Sequence, residues 1–342
     1  MQQEAESVGV VVDVFYRRDS QSYARCPESV CEFALLSTRF FGFVRLCLSV
    51  STYRKSLIFV SSISAENFSM PEGHSVHRIA RDHSKLFARQ KMIVTSPQGR
   101  FLEEAKKLSG RHLVAAEAFG KHLIYLWGTK SKVPTENATP AAIMHVHLGL
   151  YGKFRLHPNP APDPRGAVRV RMIGYEKAFD LNGPNCCELL DKEAFRQLKD
   201  RIGPDPLRDD ANPERAWQRI TKSRKAIAGL LLDQSVIGGI GNIFRAEILF
   251  KLRIHPETRG NELSREQFDS LWALTVRLLE VGLKYNRIIT VDREDVDNPL
   301  SRLSRFERLL VYKKNRCSTC GQRVKCWEVA SRKMYACEAC QR

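Results

Sequence analysis

Three groups of residues in this chain have types and spacings that can do chemistry. The first is Met70-Pro71-Glu72-Gly73-His74. A Met–Pro pair continues a strand or helix poorly, because proline fixes φ and removes a donor. It suits a beginning in which the second residue becomes the N-terminus. The second group is Cys317-Ser-Thr-Cys320 and Cys337-Glu-Ala-Cys340, with sixteen residues between the pairs. Two residues between thiolates let both bind one tetrahedral ion from a tight turn, and the intervening length suits a β-hairpin that returns the second pair. The spacing predicts one structural zinc ion on Cys317, Cys320, Cys337 and Cys340. Four thiolates leave no open coordination position, so that ion has no part in the chemistry. Cys326 lies between the pairs and is predicted not to be a ligand, and Cys186 and Cys187 read as buried apolar residues. The third group is Gly229-Leu-Leu-Leu-Asp-Gln-Ser-Val-Ile-Gly-Gly-Ile-Gly-Asn242-Ile-Phe-Arg-Ala-Glu-Ile-Leu249, an apolar helix, a glycine turn and a second helix. Gly238, Gly239 and Gly241 let the backbone turn tightly and approach a ligand. A helix starting at about Asn242 offers free N–H groups and a positive dipole end to an anion. No Lys-Ser/Thr follows the glycines, so this is not a nucleotide P-loop. A structural αα-hairpin without a ligand fits the same pattern.

The elements that must position these groups follow from local periodicity. A helix is expected from Ser75 as its cap, with Val76, Ile79, Ala80, His83 and Phe87 at helical spacing. The runs 122–127, 143–148 and 168–172 read as strands; in the last, Val168, Val170 and Met172 take one face and Arg169 and Arg171 the other. The turn-rich 157–164 separates two of them. Residues 71 to about 185 therefore read as a helix followed by an antiparallel β domain. Beyond it, Asn212-Pro213 is a cap with a first-turn proline. Leu263-Ser264-Arg-Glu-Gln267-Phe268 is a capping box with a hydrophobic staple, launching Phe268, Leu271, Trp272, Leu278 and Leu279 on one stripe. A helical region spans about 190–290, then a basic connector leads to the cysteines. There is no internal repeat and no low-complexity tract.

The totals narrow the partner. The chain has 342 residues, 43% of them hydrophobic, enough for two or three domains with a sizeable core. Lys plus Arg is 55 against 38 acids, a net charge of +17, which points to an anionic partner, nucleic acid first. Residues 1–69 hold seven bases and seven acids, so the whole excess lies in 70–342. In so basic a chain the anion expected at the Asn242 turn is a DNA phosphate, with the ligand-free αα-hairpin as the alternative. Lys313, Lys314, Arg316, Arg323, Lys325, Arg332 and Lys333 surround the cysteines and suit a phosphate backbone as well as a solvated face. The apolar window 40–60 is interrupted by Arg45, Arg54 and Lys55, so no membrane span is expected, and 1–69 does not read as a signal peptide. It reads as an upstream extension outside the working protein, with a poorly structured tail as the alternative. Clustered cysteines without an export signal indicate a cytoplasmic protein that uses them for metal.

These parts resemble the formamidopyrimidine-DNA glycosylase and endonuclease VIII family. The resemblance rests on "MPEG", the lysine of "FGKHL", "LLDQSVIGGIGNIFRAEILF" and a four-cysteine finger ending "CEACQR", in the family's order, and covers 70–342. It implies an α+β fold: an N-terminal antiparallel β-sandwich with a flanking helix (70–188), a helix–two-turn–helix domain (189–300) and a C-terminal zinc-finger hairpin (301–342). It implies a monomeric base-excision glycosylase and AP lyase acting on damaged DNA, duplex or single-stranded, and associated with the bacterial nucleoid when bound. Pro71, freed as the N-terminus, attacks C1′ of the damaged nucleotide; Glu72 protonates the sugar oxygen and shuttles protons; Lys121 contacts phosphate and donates a proton. Asn242, in the turn with Gly241, binds the phosphate beside the lesion, and Arg332 grips phosphate and assists δ-elimination. Leu150 and Tyr151 resemble the wedge of the endonuclease VIII branch, which favours oxidised pyrimidines and abasic sites, with 8-oxoguanine as runner-up. Gly149, where that branch often has Gln, and the start "PEGHSVHR" in place of "PEGPE" depart from the family pattern. The rivals are a non-catalytic zinc-containing DNA-binding protein, which has no need of "PEG" with Lys121, and a lyase acting only on abasic sites.

Overall fold

The computed structural model describes residues 71–129 and 140–342, with the backbone of a short hairpin, β1 (Phe15–Arg18) and β2 (Ser22–Arg25), in the upstream stretch. The reading of 1–69 as an extension otherwise lies outside the described residues, as does Met70.

The chain from Pro71 opens with α1 (Gly73–Phe87), followed by β3 (Ile93–Thr95), α2 (Leu102–Leu108), β4 (His112–Phe119), β5 (His122–Gly128), β6 (Ala142–His147), β7 (Lys153–Pro158), β8 (Val168–Ile173), β9 (Lys177–Asn182) and β10 (Cys186–Leu190). The strands form two four-stranded antiparallel sheets, ordered β10-β6-β5-β4 and β3-β8-β9-β7. Alternation decides what each face meets. Leu123, Tyr125 and Trp127 of β5, Met144 and Val146 of β6, and Val170, Met172 and Phe179 of the other sheet fill one core together with Phe87 of α1. The opposite face of β5 and β6 presents Ile124 and Ile143 to Leu198 and Ile202, at the end of α3 (Lys192–Arg201). The buried Tyr125 hydroxyl is satisfied by His83 Nδ1 at 2.7 Å.

The helical part continues with α4 (Pro213–Thr221), α5 (Ile227–Leu230), α6 (Asn242–Lys251) and α7 (Arg265–Tyr285). The local signals hold: the Asn212 side chain accepts from Glu214 N at 3.0 Å, and Ser264 and Gln267 close a reciprocal capping box. A second core joins these helices to the C-terminal hairpin, β11 (Lys325–Val329) and β12 (Arg332–Ala336), through Phe244, Ile248, Phe268, Leu271, Val311 and Met334.

Four expectations need correction. Ser75 is not the cap of α1: the helix starts at Gly73, and Ser75 Oγ donates back to Glu72 O at 2.8 Å. The apolar run from Gly229 forms one helical turn rather than a full helix, because the chain leaves α5 at Leu231 to reach the glycine turn. Val168 does not share the face of Val170 and Met172, because a bulge between Val168 and Val170 pairs Val168 with Asn182 and Val170 with Leu181, whereas Arg171 lies opposite Val170 and Met172 as expected, buried and donating bidentately to Asp180 at 2.7 and 2.8 Å. Cys186 and Cys187 are only half-buried; Cys187 borders the sandwich core, while the Cys186 thiol faces Glu188 at 3.1 Å.

Candidate active site

A cleft of about 510 Å3 lies where the sheets, the glycine turn and the finger hairpin meet. Its walls include Pro71, Glu72, Lys121, Gly241, Asn242 and Arg332, residues spread over more than 260 positions of the sequence. His147, Lys225 and Gln234 also line it and were not singled out from the sequence.

The cleft is organised around the N-terminus of α6. No side chain within that helix caps it. Instead the Glu72 carboxylate accepts from the backbone N–H groups of Gly241 at 3.0 Å, Ile243 at 2.9 Å and Phe244 at 3.4 Å. The anion anticipated at this helix start is therefore, for these three donors, the buried carboxylate of Glu72 rather than a phosphate. Orphan N–H groups and a positive dipole end stabilise an anion from either source. The spacing of "GIGN" gave no hint that the partner sits about 170 residues upstream.

The glycines are explained by this docking. A Cβ on Gly241 would stand 2.3 Å from Glu72 Cδ, although the Gly241 φ of −124° suits any residue. A Cβ on Gly73 would meet Gly239 Cα at 2.7 Å, and Gly73 N donates to Gly239 O at 2.8 Å. Gly239 itself has φ +94°. Gln234 braces the turn, accepting from Gly239 N at 3.0 Å and donating to Ile240 O at 2.9 Å. Gly241→Ala is expected to cost about 1–3 kcal/mol, as overpacking of tight sites does, and to displace the Glu72 carboxylate. Chemical denaturation measures the first effect, and an unchanged midpoint would contradict the packing.

Lys121 follows the turn at Gly120 (φ +58°), whose N–H donates to Asp205 Oδ2 at 2.6 Å. The buried Asp205 also accepts from His77 Nε2 at 2.7 Å, so one carboxylate ties the lysine turn to α1. Burial raises the Glu72 pKa above the ordinary carboxylate value, while attraction to Lys121 and the three N–H groups pull it back down. Burial lowers the Lys121 pKa, and Glu72 opposes that shift. A folded carboxyl with a raised pKa favours folding below its unfolded pKa, and that contribution is lost as pH rises through the folded value. Removing the lysine charge in Lys121→Met should raise the Glu72 pKa further and move this window to higher pH. Carbon-detected NMR titration of the Glu72 carboxyl reads the shift, and a downward move would contradict the pairing.

Arg332 opens β12 after the two-residue turn Ala330-Ser331, whose φ values of +53° and +57° are those of a primed hairpin turn. Its backbone is fixed by α6: Arg245 donates to Arg332 O at 3.1 Å, and Asn242 Nδ2 donates to Lys333 O at 3.0 Å. Farther along α6, the fully buried Glu247 accepts from Leu310, Val311 and Tyr312 N at 2.7 to 2.9 Å, anchoring the connector to the finger.

Leu150 and Tyr151 are not part of the cleft wall, which takes Leu148 and Gly149 from the same loop. They project beside it, 39% and 70% exposed, and Tyr151 borders a groove with Lys153, Arg155 and Arg165. His74 is buried against Phe244, ring centroids 5.3 Å apart, rather than in the cleft. Cys317, Cys320, Cys337 and Cys340 gather at the far end of the hairpin with all four sulfurs within 4.8 Å of one another, and Cys326 is outside the group.

A β-sandwich, a helical domain with a glycine turn and a four-cysteine hairpin around one cleft is the architecture of one class of DNA glycosylases. Residues 70–181 match the formamidopyrimidine-DNA glycosylase N-terminal domain, and residues 202–294 match the H2TH domain of the same enzymes. The chain belongs to the formamidopyrimidine-DNA glycosylase/endonuclease VIII family, the glycosylases of DNA repair. Among its relatives, Endonuclease 8 1 of Mycobacterium tuberculosis is 42% identical over 278 residues, covering 80% of this chain and 100% of the relative. Endonuclease 8 of Pectobacterium carotovorum is 31% identical over 207 residues, 58% of this chain and 76% of that one. The structure of Lactococcus lactis Fpg with DNA containing an abasic site superposes with a TM-score of 0.64 at 25% identity, covering 79% of this chain and 99% of that one. Among the described residues no helix is long and apolar enough to cross a membrane.

Proposed function

We propose that this protein is a bifunctional DNA glycosylase and AP lyase that excises oxidised bases, oxidised pyrimidines foremost, through a Schiff base on Pro71. The observation that carries the reading is the cleft itself. Pro71 shares it with Lys121, Asn242 and Arg332, and its neighbour Glu72 is held rigidly by three backbone N–H groups.

The chemistry starts with the proline nitrogen as a free secondary amine. It attacks C1′ of the damaged nucleotide and expels the base. The resulting iminium draws electrons from the sugar and acidifies the C2′ proton, so β-elimination and then δ-elimination cleave the strand. Glu72 has the properties of a proton carrier: burial keeps its proton bound to higher pH than usual, and fixed donors prevent it from swinging away. The desolvated Lys121 amine serves as proton donor and phosphate contact, and the Arg332 guanidinium as a planar phosphate fork. Asn242, on the wall, contacts the phosphate beside the lesion. Leu150 and Tyr151, exposed on a tight loop, fill the gap left by the extruded nucleotide.

Damaged DNA as the partner is supported by the +17 charge and by relatives of known structure: Lactococcus lactis Fpg has been captured with DNA carrying an abasic site and with DNA carrying an oxidised pyrimidine. Zinc fits the four thiols. The sulfur pairs at 3.5 and 3.8 Å match the edge of about 3.8 Å expected for tetrahedral zinc–sulfur bonds. Bound there, it supplies only structure. Its removal is expected to unpack Cys317, Cys337 and Met334 from the helical core and to free Trp327 from Glu257, a contact of 3.0 Å. Tryptophan emission should shift red on chelation and binding to lesion DNA should weaken; unchanged emission with zinc gone would contradict this.

The reading is tested with oligonucleotides carrying thymine glycol, 8-oxoguanine or an abasic site and the chain that begins at Pro71. Excision of thymine glycol with strand cleavage is expected. Cleavage of the abasic oligonucleotide alone would leave a lyase without glycosylase activity, and binding without cleavage would leave a DNA-binding protein.

A further inference from the structure

On the outer face of the β10-β6-β5 sheet, polar side chains gather where alternation would allow apolar ones. Register sets His145 directly opposite Glu188 and His147 opposite Cys186, and His122 pairs with His147 across β5 and β6. His145 is 5% exposed. Its Nδ1 lies 2.9 Å from Glu188 Oε1 and 3.8 Å from Cys186 Sγ, and Cys186 Sγ lies 3.1 Å from Glu188 Oε1. Its Nε2 meets His122 Nδ1 at 2.9 Å.

We propose that His145, Cys186 and Glu188 form a second metal site, separate from the four-cysteine finger, for a borderline divalent cation of the zinc class. The triangle of donor atoms is the first argument. Tetrahedral zinc with bonds of about 2.0 to 2.3 Å requires nitrogen–oxygen, sulfur–oxygen and sulfur–nitrogen edges of about 3.3, 3.5 and 3.6 Å. The observed edges differ from these by a few tenths of an ångström, a side-chain adjustment. The donor set is the second. One thiolate, one imidazole and one carboxylate suit zinc, and are softer than calcium or magnesium would select. The third is the surroundings. His122 engages the remaining nitrogen of His145, as the outer partner of a metal-bound imidazole does, and the half-exposed Glu188 leaves a side open for water as fourth ligand.

The protons balance simply. His145 shifts its proton from Nδ1 to Nε2, His122 shifts its own from Nδ1 to Nε2, and the Cys186 thiol gives one proton to solvent. The ion pins the edge strand β10 to β6. It also fixes the tautomer of His122, which follows Lys121 and whose ring centroid lies 4.9 Å from that of the cleft residue His147, tilted by 44°.

Metal analysis of the full chain after equilibration with zinc and gel filtration tests this. Wild type should retain one more equivalent of zinc than Cys186→Ser or Glu188→Gln, and both variants should keep the finger equivalent, which reports that they fold. Cobalt loading should show thiolate-to-metal absorption that falls in Cys186→Ser to the share of the four-cysteine finger alone. A wild type holding a single equivalent, or an extra equivalent that survives in both variants, overturns the site.

Discussion

A chain that keeps even one residue ahead of Pro71 is expected to give no borohydride-trapped adduct with DNA carrying an abasic site, whereas a chain whose first residue is Pro71 gives a full one. An in-chain proline nitrogen is an amide with a delocalised lone pair and does not attack carbon. A free α-amino group titrates near pH 8, so a useful fraction is neutral under physiological conditions. The upstream residues are not needed to hold the nucleophile. Glu72 is tied to α6, Gly73 N donates to Gly239 O, and His77 reaches Asp205, so the segment is fixed from its C-terminal side. Denaturing gels after reduction measure the adduct. Equal trapping by an unprocessed 342-residue chain would contradict this expectation.

Glu72→Gln is expected to reduce base excision roughly 10²- to 10⁴-fold, the usual worth of a positioned proton-transfer group. The amide has nearly the same shape but only one acceptor oxygen, so its NH2 must face at least one of the N–H donors of Gly241, Ile243 and Phe244. Leaving a buried donor unsatisfied costs about 1–3 kcal/mol, so a lower denaturation midpoint should accompany the lost rate. Single-turnover excision of thymine glycol, with the variant shown to be folded, separates the two effects. A rate within about tenfold of wild type would remove Glu72 from the proton-transfer role.

What could be read from the sequence was local. The Ser264–Gln267 capping box, the Asn212-Pro213 start and the alternation of Val170 and Met172 with Arg171 involve residues a few positions apart, and the backbone obeys them; only at Val168 does a bulge shift the register. The cysteine spacing carries its own geometry, and the sulfurs converge as it requires. What could not be read was pairing across the fold. Glu72 as the cap of α6, Asp205 as the clamp on Gly120 and His77, Arg245 holding Arg332, and Glu247 holding the connector each join segments that no periodicity links. Arg171 alternates as a strand residue should, yet Asp180 on the neighbouring strand buries it. The roles proposed for Pro71 and Lys121 rest on resemblance, since neither a proline nor a strand-end lysine signals chemistry by itself. The His122–His145–Glu188 row had one visible trace, three histidines near adjacent strands, but only the register of β10 on β6 brings the cysteine and the acid to them.

The most direct measurement is to locate the covalent bond. Reduced enzyme–DNA adduct, digested and sequenced by tandem mass spectrometry, should carry the sugar remnant on the α-nitrogen of Pro71. A remnant on the Lys121 side chain, or on any other amine, would contradict the assignment of the nucleophile and the mechanism built on it.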